Sequence, residues 1–180
     1  LNIMIQKTSK LFILLVIPFF FLLASCSSTS RGYNDSSWSS ASRKKLDRGV
    51  KKELRNDIAK HSRRYKGIKY QYAGKSPKTG FDCSGFTSYV MKKFNIEIPS
   101  VSRSQAIIGK EIPIKRVKPG DLIFFGKGRK VTHVALVTKN TRDGVFVIHS
   151  TSSKGIMEQN VSKSNYWRPK ILFARDIITR

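Results

Sequence analysis

The chain has 180 residues, 35 of them Lys or Arg against 11 Asp or Glu, for a net charge of +24 at neutral pH. That length suits one domain with a short appendage, and only two cysteines, Cys26 and Cys83, exclude a small fold stapled by several disulfides. So basic a chain calls for an anionic partner, but no standard nucleic-acid motif occurs in it.

Residues 1–25 read as an export signal. Lys7 and Lys10 form a basic start, and the apolar run from Leu11 to Leu23 is interrupted by Pro18 and too short to span a bilayer comfortably. Leu23-Ala24-Ser25-Cys26 then resembles the lipobox of bacterial lipoproteins. That resemblance implies a lipid on Cys26, the first residue of the mature chain, and attachment to a membrane through it. Ser27 rather than Asp follows, which by the same resemblance favours the outer membrane, facing the periplasm. Without Lys7 and Lys10 the mature chain keeps about +22. Outside the cytoplasm the partner is not nucleic acid; peptidoglycan stem carboxylates and lipid head groups are the anions to hand.

Residues 26–42 carry the lipidation site and a Ser-rich stretch, read as a flexible tether. The domain is placed at 43–180. From Arg43 to about Arg64, Leu46, Val50, Leu54 and Ile58 recur every four residues among Lys and Arg. This spacing predicts an amphipathic helix packed on the domain, with a membrane surface as the alternative. His61 stands among Lys60, Arg63 and Arg64 and is expected at the solvated surface.

Tyr65 to Phe81 reads as a loop. Cys83 to Phe94 reads as a helix with Phe86, Tyr89, Val90 and Phe94 on one face and Asp82 as N-cap. Strand-like runs follow at Asp121–Phe125, Val131–Thr138, Val145–Ser150, a weak one near Ile156–Val161, and Lys170–Ile178. Helices first and strands afterwards, joined by short turns, predict an α+β fold with helices packed on an antiparallel sheet.

With Cys26 lipidated, Cys83 is the only thiol free to react, in a compartment where unpaired thiols are oxidised. It is either an inert buried residue or a nucleophile. The first turn of a helix favours a thiolate, while Asp82 beside it opposes one, so a histidine partner is wanted. A hairpin centred on Thr141 would put His133 directly opposite His149, on one face of the sheet. The pair has three readings: metal ligands, ordinary polar residues at a strand edge, or a base for Cys83 with a second imidazole orienting it.

These residues together resemble the NlpC-type family of bacterial cell-wall cysteine peptidases, which have a papain-like fold. The resemblance runs from about Gly67 to Arg175. It is carried by Gly67-Ile68-Lys69-Tyr70-Gln71-Tyr72-Ala73-Gly74, with Ala73 where Gly is usual, and by Phe81-Asp82-Cys83-Ser84-Gly85-Phe86. Ile98-Pro99, Ser102-Arg103-Ser104-Gln105, Pro119-Gly120-Asp121-Leu122-Ile123-Phe124-Phe125, His133-Val134-Ala135 and Ile148-His149-Ser150 continue it in order. It implies that Cys83 is the nucleophile, His133 its base and His149 the residue orienting His133. Tyr70, Asp82 and Ser84 are implied in substrate binding. The activity implied is hydrolysis of peptide bonds in peptidoglycan stems by a thiolate mechanism, with no metal and no cofactor. An amidase or acyltransferase on the same scaffold, or a non-catalytic wall-binding lipoprotein, are the alternatives.

Overall fold

A computed structural model describes residues 40–179. The export signal, Cys26 and the tether up to residue 39 lie outside the described residues. The first element, α1 (Ser40–Ser62), starts three residues before the domain boundary read from the sequence and ends in a 3-10 turn, Arg63–Tyr65. Its apolar stripe docks only in part. Ile58 is fully buried and Leu54 packs against the core, whereas Leu46 and Val50 are 56% and 58% exposed. The helix packs on the domain as expected, but only through its C-terminal turns. His61 departs from expectation. Its Nε2 lies 2.9 Å from the Tyr65 hydroxyl and its ring meets Phe94 edge-on, so it is half-buried within an aromatic cluster.

The loop that follows contains two very short paired strands, β1 (Lys75–Ser76) and β2 (Gly80–Phe81), which lead directly into α2 (Cys83–Lys92). Phe86, Val90 and Met91 recur at helical spacing and are fully buried. A one-turn helix, α3 (Ser102–Gln105), and the short β3 (Lys110–Ile112) come next. The sheet is completed by β4 (Leu122–Lys127), β5 (Lys130–Thr141), β6 (Gly144–Thr151), β7 (Gly155–Asn160) and β8 (Ile171–Asp176). Its strand order is β3-β8-β4-β5-β6-β7, antiparallel throughout. The architecture is α+β as expected, and the five predicted strands are all present.

Alternation along the strands sorts the core onto two faces. Leu122, Phe124, Val134, Leu136, Ile148 and Ile156 turn toward α1 and α2. Ile123, Phe125, Ala135, Val137 and Val147 turn to the opposite face, where Trp167 and Ile171 pack against them. Under α1, Arg55 is almost wholly buried and binds Asp121 at 2.6 Å, Asp176 at 2.7 Å and the Pro119 carbonyl at 3.0 Å. A buried guanidinium needs this many acceptors, because an unpaired charge in the interior is costly.

Candidate active site

Asp82 caps α2 as expected: its Oδ1 accepts from the Gly85 backbone N–H at 2.6 Å and from the Ser84 hydroxyl at 3.0 Å. Ser84 also approaches the Ser100 carbonyl and is buried. Gly85 is required here, since a Cβ would stand 2.1 Å from the Gly74 carbonyl oxygen. The bend at Gly74 thus lies tight against the first turn of α2, with the Asp82 N–H donating to Gly74 O at 3.0 Å. This packing fixes Cys83 at the first helical position.

The helix start does not by itself make a thiolate. Burial pushes the Cys83 thiol up, and the nearby Asp82 carboxylate adds to that. Backbone groups of Val134, Ser84 and Cys83 itself act in the other direction without prevailing. The helix-end donors do favour the charged form and Asp82 opposes it, as expected, but desolvation outweighs the donors. The same contacts locate the sulfur. It lies close enough to β5 to interact with the backbone of Val134, the residue after His133.

His133 and His149 share a sheet face, but not in the expected register. β5 and β6 pair Leu136 with Ile148 and Val137 with Val147, where a hairpin centred on Thr141 would set Leu136 opposite Phe146. The turn closes instead between Thr141 and Gly144, and Thr138 is an extra residue in β5 that shifts the pairing. The slip is even-numbered, so both histidines keep the same face and become diagonal neighbours. Diagonal positions are still within reach of aromatic rings. His133 Nε2 lies 2.8 Å from His149 Nδ1, which leaves His133 Nδ1 as the ring nitrogen available to the thiol. A second bulge, at Thr132, lets Val131 face the helices while His133 faces the other way.

Two residues of this site were not singled out from the sequence. The Gln159 carboxamide nitrogen lies 2.7 Å from His149 Nε2. Trp167 stacks on His133 with ring centroids 4.6 Å apart and tilts against His149 at 4.9 Å. The signal for Gln159 was a polar residue recurring at period two with Met157 on the weak strand; nothing local marked Trp167. With His133 half-buried between Trp167 and Phe125 and His149 fully buried, His133 is pushed down to about 3 and His149 to about 4, desolvation being the leading cause for each. Both rings are accordingly neutral near pH 7. Among the described residues no group of three or more His, Cys, Asp and Glu is placed to hold a metal.

Cys83 and His133 line one cleft of about 420 Å³, together with Tyr70, Thr132, Gln159, Tyr166 and Trp167 and the Ser150–Lys154 turn. Burial raises the Tyr70 hydroxyl, with Cys83 and Asp82 adding to the shift, so it stays a proton donor beside the sulfur. Asp82 and Ser84 are not part of that lining; their atoms are engaged in the cap. A neutral thiol, a neutral imidazole and backbone N–H groups at a helix start form a set suited to acyl transfer.

Residues 67–176 match the NlpC/P60 family. The chain is 40% identical over 124 residues to a gamma-DL-glutamyl hydrolase of Bacillus subtilis, covering 67% of this chain and 29% of that protein. It is 35% identical over 114 residues to the probable endopeptidase NlpC of Escherichia coli, covering 62% of this chain and 70% of that protein. A crystal structure of an NlpC/P60 family protein from Bacillus cereus superposes with a TM-score of 0.62 at 30% identity, over 69% of this chain and 40% of that one. The chain thus spans less than a third of the Bacillus subtilis relative's length.

Proposed function

Because the chain belongs to the NlpC/P60 family, we propose that it is a cysteine-type peptidoglycan endopeptidase that hydrolyses stem-peptide bonds through Cys83, His133 and His149. The observation that supports this most is the His133–His149 contact at 2.8 Å, with the half-buried thiol of Cys83 on the wall of the cleft that His133 also lines. The thiol proton passes to His133 Nδ1 as sulfur adds to the scissile carbonyl. The imidazolium then returns that proton to the leaving amine, and water hydrolyses the thioester by the reverse route. The N–H groups of Cys83 and Ser84 and the Tyr70 hydroxyl are the donors at hand for charge developing on the carbonyl oxygen. His149 holds the His133 ring in place.

A lipid on Cys26 would hold this domain at the membrane, in our reading the outer membrane facing the periplasm. Mass spectrometry of the membrane-extracted protein tests it: an acylated Cys26 supports the anchor, and a free amino-terminal chain in the soluble fraction refutes it. The peptidase reading is tested by incubating the protein with purified sacculi and identifying the released muropeptides. Cys83→Ala should abolish release with folding intact, a loss of at least about a thousandfold given what a missing nucleophile costs. Unchanged release in that variant would sink the reading. Products cut at the amide to the sugar, or joined to a new acceptor, would assign an amidase or acyltransferase instead.

A further inference from the structure

His133, His149 and Gln159 step diagonally across β5, β6 and β7, and the last of the three governs where the protons sit. Resting on the peptidase reading above, we propose that Gln159 is a positioning residue that fixes the tautomers of the histidine pair, and that its carboxamide must turn its oxygen toward His149 for His133 to serve as a base.

Two proton arrangements satisfy the contacts at 2.8 Å and 2.7 Å. In the first, the Gln159 amide nitrogen donates to His149 Nε2. His149 then carries its proton on Nδ1 and gives it to His133 Nε2. A neutral His133 that accepts at Nε2 must hold its own proton on Nδ1, and it has no lone pair left for the thiol. In the second, Gln159 Oε1 accepts from His149 Nε2–H. His149 Nδ1 is then an acceptor, His133 donates to it from Nε2, and Nδ1 of His133 is bare.

Only the second arrangement can take the proton of Cys83. When His133 becomes an imidazolium it keeps its Nε2–H bond to His149, and no other proton moves.

The structure shows the amide nitrogen toward His149, the arrangement in which the base is blocked. Gln159 Oε1 accepts no hydrogen bond from the described residues, so a half-turn of the carboxamide breaks one contact and makes one. His149 is fully buried, which leaves Gln159 as the group that satisfies its Nε2. Val147 lies directly opposite Gln159 on the neighbouring strand, and the same alternation that aims His149 inward aims Gln159 at it. A single side chain therefore writes the protonation pattern of the whole relay.

The test uses the full-length protein, with Gln159→Met and Gln159→Glu as variants. Imidazole ¹⁵N spectra report which ring nitrogen carries each proton without any turnover, and hydrolysis of stem peptides is followed across pH. In the wild type at the pH of full activity, His133 should have a bare Nδ1 and His149 a protonated Nε2. Gln159→Met removes both donor and acceptor; kcat should fall on the order of tenfold to a hundredfold with KM little changed, and the tautomers should mix. Gln159→Glu can only accept, so its activity should approach wild type at high pH. Its acid limb should move to higher pH, because the carboxylate favours a His149 imidazolium that donates through Nδ1 and blocks His133.

Wild-type kcat, pH profile and tautomers in Gln159→Met would overturn the proposal. So would a wild-type His133 protonated on Nδ1 at full activity, a measurement that stands even if Gln159→Met fails to fold. Full activity in Cys83→Ala would instead sink the peptidase reading, leaving the imidazole spectra to judge Gln159 separately.

Discussion

At the scale of single residues, Trp167 carries much of the site's electrostatics without any charge. Its indole packs on both histidines and so adds to the burial that pushes His133 down to about 3 and His149 to about 4, the neighbouring His149 lowering His133 further. Trp167→Ala should let water in and raise both toward the ordinary histidine value of about 6.5. An NMR titration of the two rings checks this; unchanged midpoints would remove Trp167 from the account. Ala73 shows a different kind of residue effect. It holds φ at 54°, in the left-handed region, at the position where the resemblance led one to expect glycine. Left-handed backbone costs an L-residue about 1–2 kcal/mol, partly offset by glycine's greater freedom when unfolded. Ala73→Gly should therefore stabilise the domain by roughly 0.5–1 kcal/mol in urea unfolding, and a destabilised variant would contradict the assignment. Cys83 and both histidines could be singled out from sequence because those residue types stand there in recognisable company. Gln159 and Trp167 were not, because each acts through a contact that only the folded chain creates.

At the scale of elements, α1 divides into a docked half and an undocked half. Ile58 is fully buried among core residues, so Ile58→Ala should cost about 2–5 kcal/mol. Leu46→Ala, twelve residues earlier on the same stripe, should stay within about 0.5 kcal/mol because its side chain is mostly exposed. Equal losses from the two would mean that the helix packs along its full length. The contrast also shows where sequence periodicity stops being informative. The four-residue spacing of Leu46, Val50, Leu54 and Ile58 sets which side of the helix is apolar, but not how far along it the domain reaches. The long strands were legible because alternation repeats enough times to be seen, whereas β3 has three residues and α3 four, too few to establish a period. The β5–β6 register was missed because the extra residue Thr138 is followed in β5 only by the exposed polar residues Lys139, Asn140 and Thr141, so no apolar alternation beyond it could reveal the shift. The site survived that error because a shift of two positions keeps both histidines on one face.

At the scale of the whole molecule, the buried titratable groups set how stability depends on pH. His133 and His149 are held well below their ordinary value, so an unfolded chain binds their protons from about pH 6.5 downward while the native one refuses them until about 4 and 3. Their contribution is complete above about 6.5 and is lost as the pH falls. Asp121 works against this. Burial raises its carboxyl to about 6 despite the Arg55 guanidinium at 2.6 Å, so near pH 5 the native chain binds a proton that the unfolded chain does not. Among these three groups two protons favour the unfolded state there and one favours the native, a net of one, or about 1.4 kcal/mol per pH unit. His61, lowered by its own partial burial, acts in the same direction as the other histidines. Glu158, lowered by Arg63, and Asp176, lowered by Thr179, Ile178 and Arg55, add to the loss as their pairings are protonated at still lower pH. The net charge of +24 grows as acids are neutralised, and self-repulsion then works in the same direction. Urea midpoints should accordingly fall steadily from pH 6.5 to 4.5. They should be nearly flat in a His133→Phe variant, where the remaining proton of the histidine pair offsets that of Asp121, and a wild-type profile that is flat or rises toward pH 4.5 would show that the two histidines are not both held neutral by the fold.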